Sequence, residues 1–344
     1  MLIIDTGHME KYNWANFTST LTGAKTMAKR TYEFNWDIIG DLKAGRPNLG
    51  DQINLLLYRL MQYTFREVSV TKFGDVESDQ LFRDAGFIAG MFFFEHYLAD
   101  HNNLPHDDFL KQFRSALDQN SIRFLRIDSV DWNQEIFSLS VATGIEGVGL
   151  NLLKNDDYHY DVGFAEGVFF KYTGKRFHAA TVNTSAVREI LPKLGDQINL
   201  VPYRMLQYTV RDVAEQKIGT EACNQLYYDA GEIAGVFFFD SFMSEFKDLP
   251  FNRFVGELQR VLKDLGIGVL RIEKEDLDKG EFTLTVSEDL DCSGLPDLGI
   301  EVCNYDEGFI AGIFYKYTGI VFRAKEVDCW CSGDRTCRFT VNRI

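Results

Sequence analysis

Four residues in the C-terminal part of the chain have side chains of the types that can bind metal ions. Cys303 precedes a helical segment, and Cys329 and Cys337 lie in two predicted strands joined by the turn SGDRT at 332–336. A hairpin with this turn brings Cys329 and Cys337 close together. Glu326 stands three residues before Cys329, so the segment could supply a tetrahedral zinc site from three thiolates and one carboxylate.

Other interpretations of these cysteines remain open. Cys331 follows Cys329 by two residues, so in a strand it faces the same side and competes for the ligand position. Ordinary buried thiols, or a disulfide between Cys329 and Cys337, would also fit the spacing. The first half of the sequence contains no cysteine, which favours metal ligands or buried free thiols over a disulfide framework. The six cysteines are Cys223, Cys292, Cys303, Cys329, Cys331 and Cys337.

Length and charge limit the class of protein. The 344 residues suffice for two domains, and 45 % hydrophobic with 25 % charged residues is typical of a globular protein. The formal net charge of −15 disfavours nucleic acid and anionic membrane surfaces as direct partners. The sequence has no basic leader followed by an apolar stretch and no long apolar span, so we expect a cytoplasmic protein. A homodimer and a complex with a protein partner both remain open.

The chain contains an internal repeat. LGDQINLLLYRLMQYTFREV (49–68) returns as LGDQINLVPYRMLQYTVRDV (194–213), and YDVGFAEGVFFKYTG (160–174) returns as YDEGFIAGIFYKYTG (305–319), both at an offset of 145. A repeat of this length indicates a duplicated domain rather than a solenoid. The predicted organisation is an N-terminal extension at 1–34, a first repeat at 35–183 that lacks cysteines, and a second repeat at 184–344 that carries the Cys/Glu pattern.

Hydrophobic periodicity predicts the same elements in each repeat. Three helical patterns are followed by two alternating, β-branched segments, such as GVLRIEKED (268–276) and FTLTVSED (282–289), and by a last helix that ends at Gly319. We therefore expect an α+β fold in which each of two tandem domains packs helices on an antiparallel sheet.

Four of the predicted helices contain two glycines four residues apart, as in GFIAG at 86–90, followed by aromatic residues. A helical glycine costs about 1 kcal/mol relative to alanine, so the pairs need a reason, and close approach of another backbone provides one. The aromatic residues would then line an apolar pocket, although a solid aromatic core fits the pattern equally well. The candidate ligand-binding residues are Phe92, Phe93, Phe169, Phe237, Phe238, Phe314 and Tyr315.

The C-terminal segment resembles the 4-vinyl reductase (hydrocarbon-binding) domain family. The similarity consists of a cysteine before a Gly-rich helix, a Thr-Gly helix end, Glu-x-x-Cys, a Gly-Asp turn and a final cysteine. It extends back through LYYDAGEIAG (226–235) and, through the repeat, to a degraded copy in the first half. The resemblance implies a buried apolar ligand pocket beside a structural zinc ion, held in the second repeat alone by Cys303, Glu326, Cys329 and Cys337.

The family includes sensory domains of phenol- and xylene-responsive activators, proteins associated with bacteriochlorophyll vinyl reduction, and archaeal stand-alone proteins. Its fold is related to vesicle-tethering subunits that hold an acyl chain. The aromatic sensors bind a phenol hydroxyl through a histidine and a strand tryptophan, but Val286, or Val141 in the first repeat, takes the tryptophan's place here. The first repeat has Tyr158 in place of Cys303, and Thr184 and Pro192 in place of Cys329 and Cys337, which excludes the same metal site there.

Charged residues outside the cysteine pattern have simple interpretations. The acidic run at 288–291, like Asp84 and Asp229, is expected to be solvated or to cap a turn or helix. The repeated residues Arg59 and Arg204 are expected to form salt bridges with Asp51 and Asp196 across a helix start, or alternatively to bind a ligand carboxylate.

Signatures of catalysis are absent from the sequence: it has no GxSxG, HExxH, P-loop or Rossmann fingerprint. Cys292 has no histidine in its own repeat to activate it. The favoured interpretation is a non-enzymatic sensor, carrier or adaptor that binds an apolar or aromatic molecule. The alternatives are a reductase or accessory subunit of tetrapyrrole or aromatic metabolism, and a structural scaffold without a ligand.

Overall fold

The computed structural model describes residues 33–122, 124–141, 158–183 and 197–344. We call the described residues up to 183 the first half and those from 197 the second half. Each half contributes four long helices. The helices are α1 (Leu55–Phe73), α2 (Asp75–Tyr97), α3 (His106–Gln119), α4 (His159–Thr173), α5 (Leu200–Ile218), α6 (Thr220–Phe238), α7 (Phe251–Asp264) and α8 (Asn304–Thr318). Single helical turns occupy Trp36–Ile39, Leu42–Gly45, Ala99–His101, Phe239–Met243, Ser244–Phe246 and Trp330–Ser332.

The strands form three sheets among the described residues. A two-stranded sheet pairs β1 with β5, a three-stranded sheet has the order β2-β3-β4, and a four-stranded sheet has the order β6-β7-β9-β8. The strands are β1 (Gln52–Asn54), β2 (Leu125–Asp131), β3 (Ile136–Val141), β4 (His178–Asn183), β5 (Gln197–Asn199), β6 (Val269–Asp276), β7 (Glu281–Ser287), β8 (Phe322–Asp328) and β9 (Cys337–Arg343). This architecture confirms the predicted α+β fold class.

Local sequence signals explain where the helices begin and end. The side chains of Asn54 and Asn199 each accept a hydrogen bond from the second residue of the helix that follows, at 2.9 and 2.8 Å. Helices α4 and α8 end at Gly174 and Gly319, whose φ angles of 72° and 74° lie in the left-handed region that favours glycine. The predicted stop at Gly319 is confirmed.

The paired glycines bring helices into backbone contact. Helix α2 packs on α4, and α6 packs on α8. A Cβ atom on Gly86 would overlap the carbonyl oxygen of Tyr160, and one on Gly163 would overlap the carbonyl oxygen of Arg83. The glycines of α6 and α8 meet the facing backbone in the same way. The prediction that these glycines permit close approach of another backbone is therefore confirmed in both halves.

The two larger sheets differ in one strand. In the second half β9 lies between β7 and β8 and is antiparallel to both, so β7 and β8 run in the same direction. In the first half β4 pairs directly with β3, in parallel. The strand directions are thus the same in both halves, and the parallel pair arises where the described first half has no strand equivalent to β9.

A local twofold relationship connects the halves. Strands β1 and β5 pair antiparallel with Ile53 opposite Ile198, and these two residues are repeat equivalents. The hydroxyl of Thr64 lies 3.2 Å from the hydroxyl of Tyr305. The equivalent hydroxyls of Thr209 and Tyr160 lie 3.3 Å apart. Such exchange of equivalent contacts is the property of an isologous interface, here formed within one chain.

Two ion pairs also connect the halves, one in each direction. Helix α2 packs on α5, and α1 packs on α6. Lys217 on α5 lies 2.9 Å from Asp84 on α2, and Lys72 on α1 lies 2.7 Å from Asp229 on α6. Asp84 and Asp229, predicted from the sequence to be solvated or capping groups, instead join the two halves.

The segment 33–50 contacts the second half. The Asp41 amide donates to Gly294 O at 2.7 Å, and the buried Arg46 guanidinium donates to Glu288 O at 2.8 Å. This segment therefore braces the turn that follows β7. Of the described helices, none combines the length and apolar character needed to cross a membrane.

Candidate functional site

Four buried cysteines converge where the second half's sheet meets α8. Cys303 is the residue before α8, Cys329 follows β8, and Cys337 begins β9. Cys292 comes from the turn after β7 and contacts Cys337. All four residues are excluded from solvent, and the cysteines form no disulfide.

The sulfur atoms lie at distances that suit one metal ion. Cys303 Sγ lies 3.8 Å from Cys329 Sγ and 3.7 Å from Cys337 Sγ. Cys292 Sγ lies 3.0 Å from Cys337 Sγ, and all four sulfurs lie within 4.8 Å of one another. A tetrahedral ion with metal–sulfur bonds of about 2.3 Å holds its sulfurs about 3.8 Å apart. The group could therefore hold a four-coordinate metal ion after a small separation of Cys292 from Cys337.

Glu326 lies beside this group. Its Oε2 accepts a hydrogen bond from the Cys303 amide at 3.2 Å, and its buried Oε1 has no hydrogen-bond partner among the described residues. Burial raises the pKa of this carboxyl well above its usual value, and the neighbouring Cys329 raises it further. The structure thus brings Glu326 to the predicted location, but four sulfurs are already present without it.

The protonation of the thiols follows from their surroundings. Burial raises the pKa of the Cys303 thiol well above its usual value. Hydrogen bonds, foremost from Cys292 and then from Cys303, lower the pKa of Cys329. Metal binding to such a group releases protons, because thiolates are the ligand form. Cys331 is also buried but lies outside the group of four, and its carbonyl oxygen accepts hydrogen bonds from the amides of Leu298 and Gly299.

Cys292 is the residue that sequence reasoning missed as a candidate ligand. Its turn is held by Asp289, whose Oδ1 accepts from the amides of Asp291 and Cys292 at 2.6 and 3.3 Å. Arg204 donates to the carbonyl oxygens of Leu290 and Ser293 at 3.0 and 2.7 Å. The signal that could have found Cys292 is its position directly after a turn-forming acidic run.

The carboxyl groups of the acidic run at 288–291 are less exposed than expected from the sequence. The sequence predicts solvated or capping carboxyls at 288–291, yet all three are buried. Asp289 does cap the turn, and Glu288 accepts from the amides of Asn48 and Leu49. Burial, then the neighbouring Asp291, raises the pKa of Asp289 to about 7.

The repeated arginines have other contacts than the predicted ones. Asp196, the expected partner of Arg204, lies outside the described residues, and Arg204 contacts backbone carbonyls of the turn after β7. Arg59 contacts the side chain of Gln62 and lies over the Phe124 ring at 4.6 Å.

An apolar cavity lies next to the start of the last helix of each half, and Pro202 and Met205 of α5 also line the cavity of the first half. The second-half cavity is about 30 Å³ and is lined by Leu262, Leu270, Leu284, Asp306, Phe309 and Phe314 among others. The first-half cavity is about 20 Å³. Its lining includes Ile122, Leu125, Asp161 and Phe164, whose repeat equivalents line the second cavity. The cavities are therefore equivalent features of the repeat.

Of the predicted ligand-binding residues, the structure brings Phe314 alone to a described cavity. Phe93, Phe169 and Phe238 are completely buried, and their rings pack on other aromatic rings, as Phe238 does on Phe309 at 5.0 Å between centroids. Phe92 and Phe237 are half-buried at the edge of the core. Tyr315 is 43 % exposed. The glycines and the aromatic residues thus serve helix packing, and the cavities lie nearer the start of α4 and α8.

The fold and site define a tandem α+β protein with a buried four-cysteine group in its second half. Residues 282–343 match the family model of the 4-vinyl reductase domain. This segment includes all four clustered cysteines together with α8, β8 and β9. The resemblance noted from the sequence is therefore confirmed over this segment.

Two archaeal proteins show partial sequence similarity. MJ1642, an uncharacterized protein of Methanocaldococcus jannaschii, is 27 % identical over 158 residues, covering 45 % of this chain and 83 % of the relative. MJ0150 of the same organism, also uncharacterized, is 27 % identical over 143 residues, covering 42 % of this chain and 76 % of the relative. Their similarity concerns sequence and carries no assigned activity.

Solved structures give weak matches. The phenol-responsive sensory domain of the transcription activator PoxR with phenol has a TM-score of 0.34 at 14 % identity, over 39 % of this chain and 71 % of that one. A vinyl-4-reductase family protein from Methanocaldococcus jannaschii has a TM-score of 0.28 at 18 % identity, over 34 % and 68 %. Scores this low carry no functional argument.

Proposed function

We propose that this chain is a non-enzymatic binding protein, a sensor, carrier or adaptor, for a small apolar molecule, with a structural zinc ion in its second half. The observation that carries the proposal is the pair of repeat-equivalent apolar cavities. Protein interiors are close-packed, so a cavity at the same place in two copies whose sequences have diverged requires an explanation. A ligand that enters this space provides one.

The donor set supports zinc as the metal. Cys292, Cys303, Cys329 and Cys337 offer four buried thiols on three separate segments, and soft thiolates with tetrahedral spacing favour zinc. The site has no open position for substrate, so zinc would cross-link the turn after β7, the start of α8 and the β8–β9 hairpin. Glu326 would then hold the Cys303 amide beside the ion, as an outer hydrogen-bonding group rather than a ligand.

The zinc and the cavity share an element. Helix α8 begins directly after Cys303 and, within its first two turns, presents Asp306 and Phe309 to the cavity. A metal that fixes the start of α8 would therefore fix one wall of the cavity. A zinc ion beside the cavity wall supports a sensor or carrier more than a catalyst. In such a protein, binding of a ligand in the cavity would be coupled to the rigidity of the wall that the metal holds.

Native mass spectrometry of the full chain, purified without chelator, tests the proposal. We expect one zinc ion per chain and a co-purifying or added apolar small molecule that dissociates on collisional activation. Turnover of an unsaturated substrate with an added reductant would instead favour a reductase. A chain without metal that binds none of a panel of apolar compounds would overturn the proposal in favour of a scaffold.

A further inference from the structure

Each cavity contains one carboxylate with an unused acceptor. Asp161 and Asp306 are repeat equivalents in the first turn of α4 and α8, and both line the apolar cavity of their half. The two residues are 2 % and 8 % exposed. In both residues Oδ2 is buried and has no hydrogen-bond partner among the described residues. A buried acceptor without a partner is costly, so a donor is needed at this position.

The two halves differ in the basic group that faces this carboxylate. Arg59 is the main opposing charge on Asp161, and its guanidinium lies over the Phe124 ring at 4.6 Å. The repeat equivalent of Arg59 is Arg204, whose three nitrogen atoms donate to the carbonyl oxygens of Leu290, Ile39 and Ser293. The Arg204 guanidinium is therefore engaged by the backbone of Ile39 and of the turn that carries Cys292.

The strongest charged neighbours of Asp306 are acidic. Burial raises the pKa of Asp306 well above its usual value, and the neighbouring Asp289, Asp291 and Glu326 raise it further. Asp289 also lines the same cavity. The second-half cavity thus combines aliphatic and aromatic walls with an acidic end, where a positively charged group would relieve the repulsion between neighbouring carboxylates.

We propose that the second-half cavity selects an apolar molecule that carries a primary ammonium group, with Asp306 Oδ2 as the acceptor. This inference rests on the proposed ligand-binding function and names its ligand class. The ammonium group would donate a hydrogen bond to Asp306 Oδ2 and supply a positive charge, as Arg59 supplies a positive charge near Asp161 in the first half. The alkyl or aryl part would contact Leu270, Leu284 and Phe314. A cavity of about 30 Å³ accepts the head group and first carbons, and a longer chain requires side chains that line the cavity to move.

Matched six-carbon probes test the head-group preference by isothermal titration of the full, zinc-loaded chain. We expect hexylamine to bind at least about tenfold more tightly than 1-hexanol, since a hydrogen bond to a charged group contributes more than a neutral one, and hexanoate to bind undetectably. Methylamine controls for attraction to the acidic surface, which has a net charge of −15, and should not compete with hexylamine.

Two charge-matched variants locate the effect. Asp306→Asn should reduce the preference for hexylamine over 1-hexanol to less than about twofold, whereas Asp161→Asn should leave it unchanged. If Asp306→Asn does not fold, the ranking of the three probes on the wild-type chain decides the question. Equal binding of hexylamine and 1-hexanol, or an amine preference that survives in folded Asp306→Asn, would overturn the inference while the apolar-binding function stands. Failure of every probe and of the wider apolar panel would overturn both.

Discussion

The Sγ atoms of Cys292 and Cys337 lie 3.0 Å apart, although 45 residues separate them in the sequence. The contact joins the turn after β7 to the first residue of β9. Both sulfurs also belong to the group of four that includes Cys303 and Cys329. If this group holds zinc, Cys292 coordinates the ion directly, as do the three cysteines of the C-terminal pattern.

Replacing Cys292 should release the metal. We expect Cys292→Ser, like Cys329→Ser, to lower the zinc content from one ion per chain toward zero and to destabilise the fold by about 4 kcal/mol or more, because loss of a structural metal is among the large destabilising mechanisms. Elemental analysis and urea unfolding measure the two effects. Cys331→Ser is the matched control, since Cys331 is buried but outside the group, and it should retain zinc. Unchanged zinc in Cys292→Ser would remove Cys292 from the ligand set.

Glu326→Gln distinguishes a ligand from an outer group. Glutamine preserves the shape of the side chain and can still accept the hydrogen bond from the Cys303 amide, so we expect zinc to remain bound and stability to fall by about 1 kcal/mol. Competition with a chromophoric chelator measures zinc affinity. Loss of the ion from this variant, with retention in Cys292→Ser, would establish the Cys₃Glu set that the sequence resemblance implies.

Gly235→Ala tests the backbone contact between α6 and α8. A Cβ atom at this position would overlap Phe309 O. Because this oxygen is a backbone atom, it cannot move aside by a side-chain rotation. We expect a loss of about 3 kcal/mol in the free energy of unfolding, measured by urea titration. Gly256→Ala is the control within helix α7, because nothing lies within 4 Å of the position that its Cβ atom would take, and it should stabilise the protein by about 1 kcal/mol. Similar effects of the two substitutions would contradict the packing role.

Asp161 should impose a pH dependence on stability. Burial raises its pKa to about 6, while Arg59 opposes the shift. Since the folded state binds this proton more tightly than the unfolded state, its contribution is fully present below about pH 4 and is lost as pH rises to about 6. Compared with Asp161→Asn, the wild-type protein should lose about 2 kcal/mol of stability between about pH 4 and pH 7, measured by denaturant unfolding at each pH. A difference between the two proteins that is constant with pH would show that Asp161 titrates normally.

The sequence predicted the elements well because their signals are local. The offset of 145 between YDVGFAEG and YDEGFIAG identified two copies of one fold, and the glycine pairs indicated that another backbone approaches these helices closely. Gly319 marked the end of α8. These features depend on residues close in sequence or on the repeat itself, so one chain suffices to find them.

The site was only partly predictable because its geometry depends on long-range contacts. Cys292 joins the group through a turn fixed by Arg204 from α5 and by Arg46 from the N-terminal segment. The cavities lie near Asp161 and Asp306, and of the predicted aromatic residues Phe314 alone lines one of them. Phe93 and Phe238 instead fill the core between helices. The parallel pairing of β3 with β4 arises from the absence of an intervening strand in the described first half, which a repeat offset does not reveal.

The reciprocal contacts of Thr64 with Tyr305 and of Thr209 with Tyr160 place two copies of one fold around a shared axis inside a single polypeptide. A dimer encoded by one short gene must carry every site twice, because each mutation appears in both subunits. Covalent linkage of the copies removes that constraint. One copy of this chain could therefore do without cysteines and keep an arginine near its buried aspartate, while the other evolved separately, with no change in how the two associate.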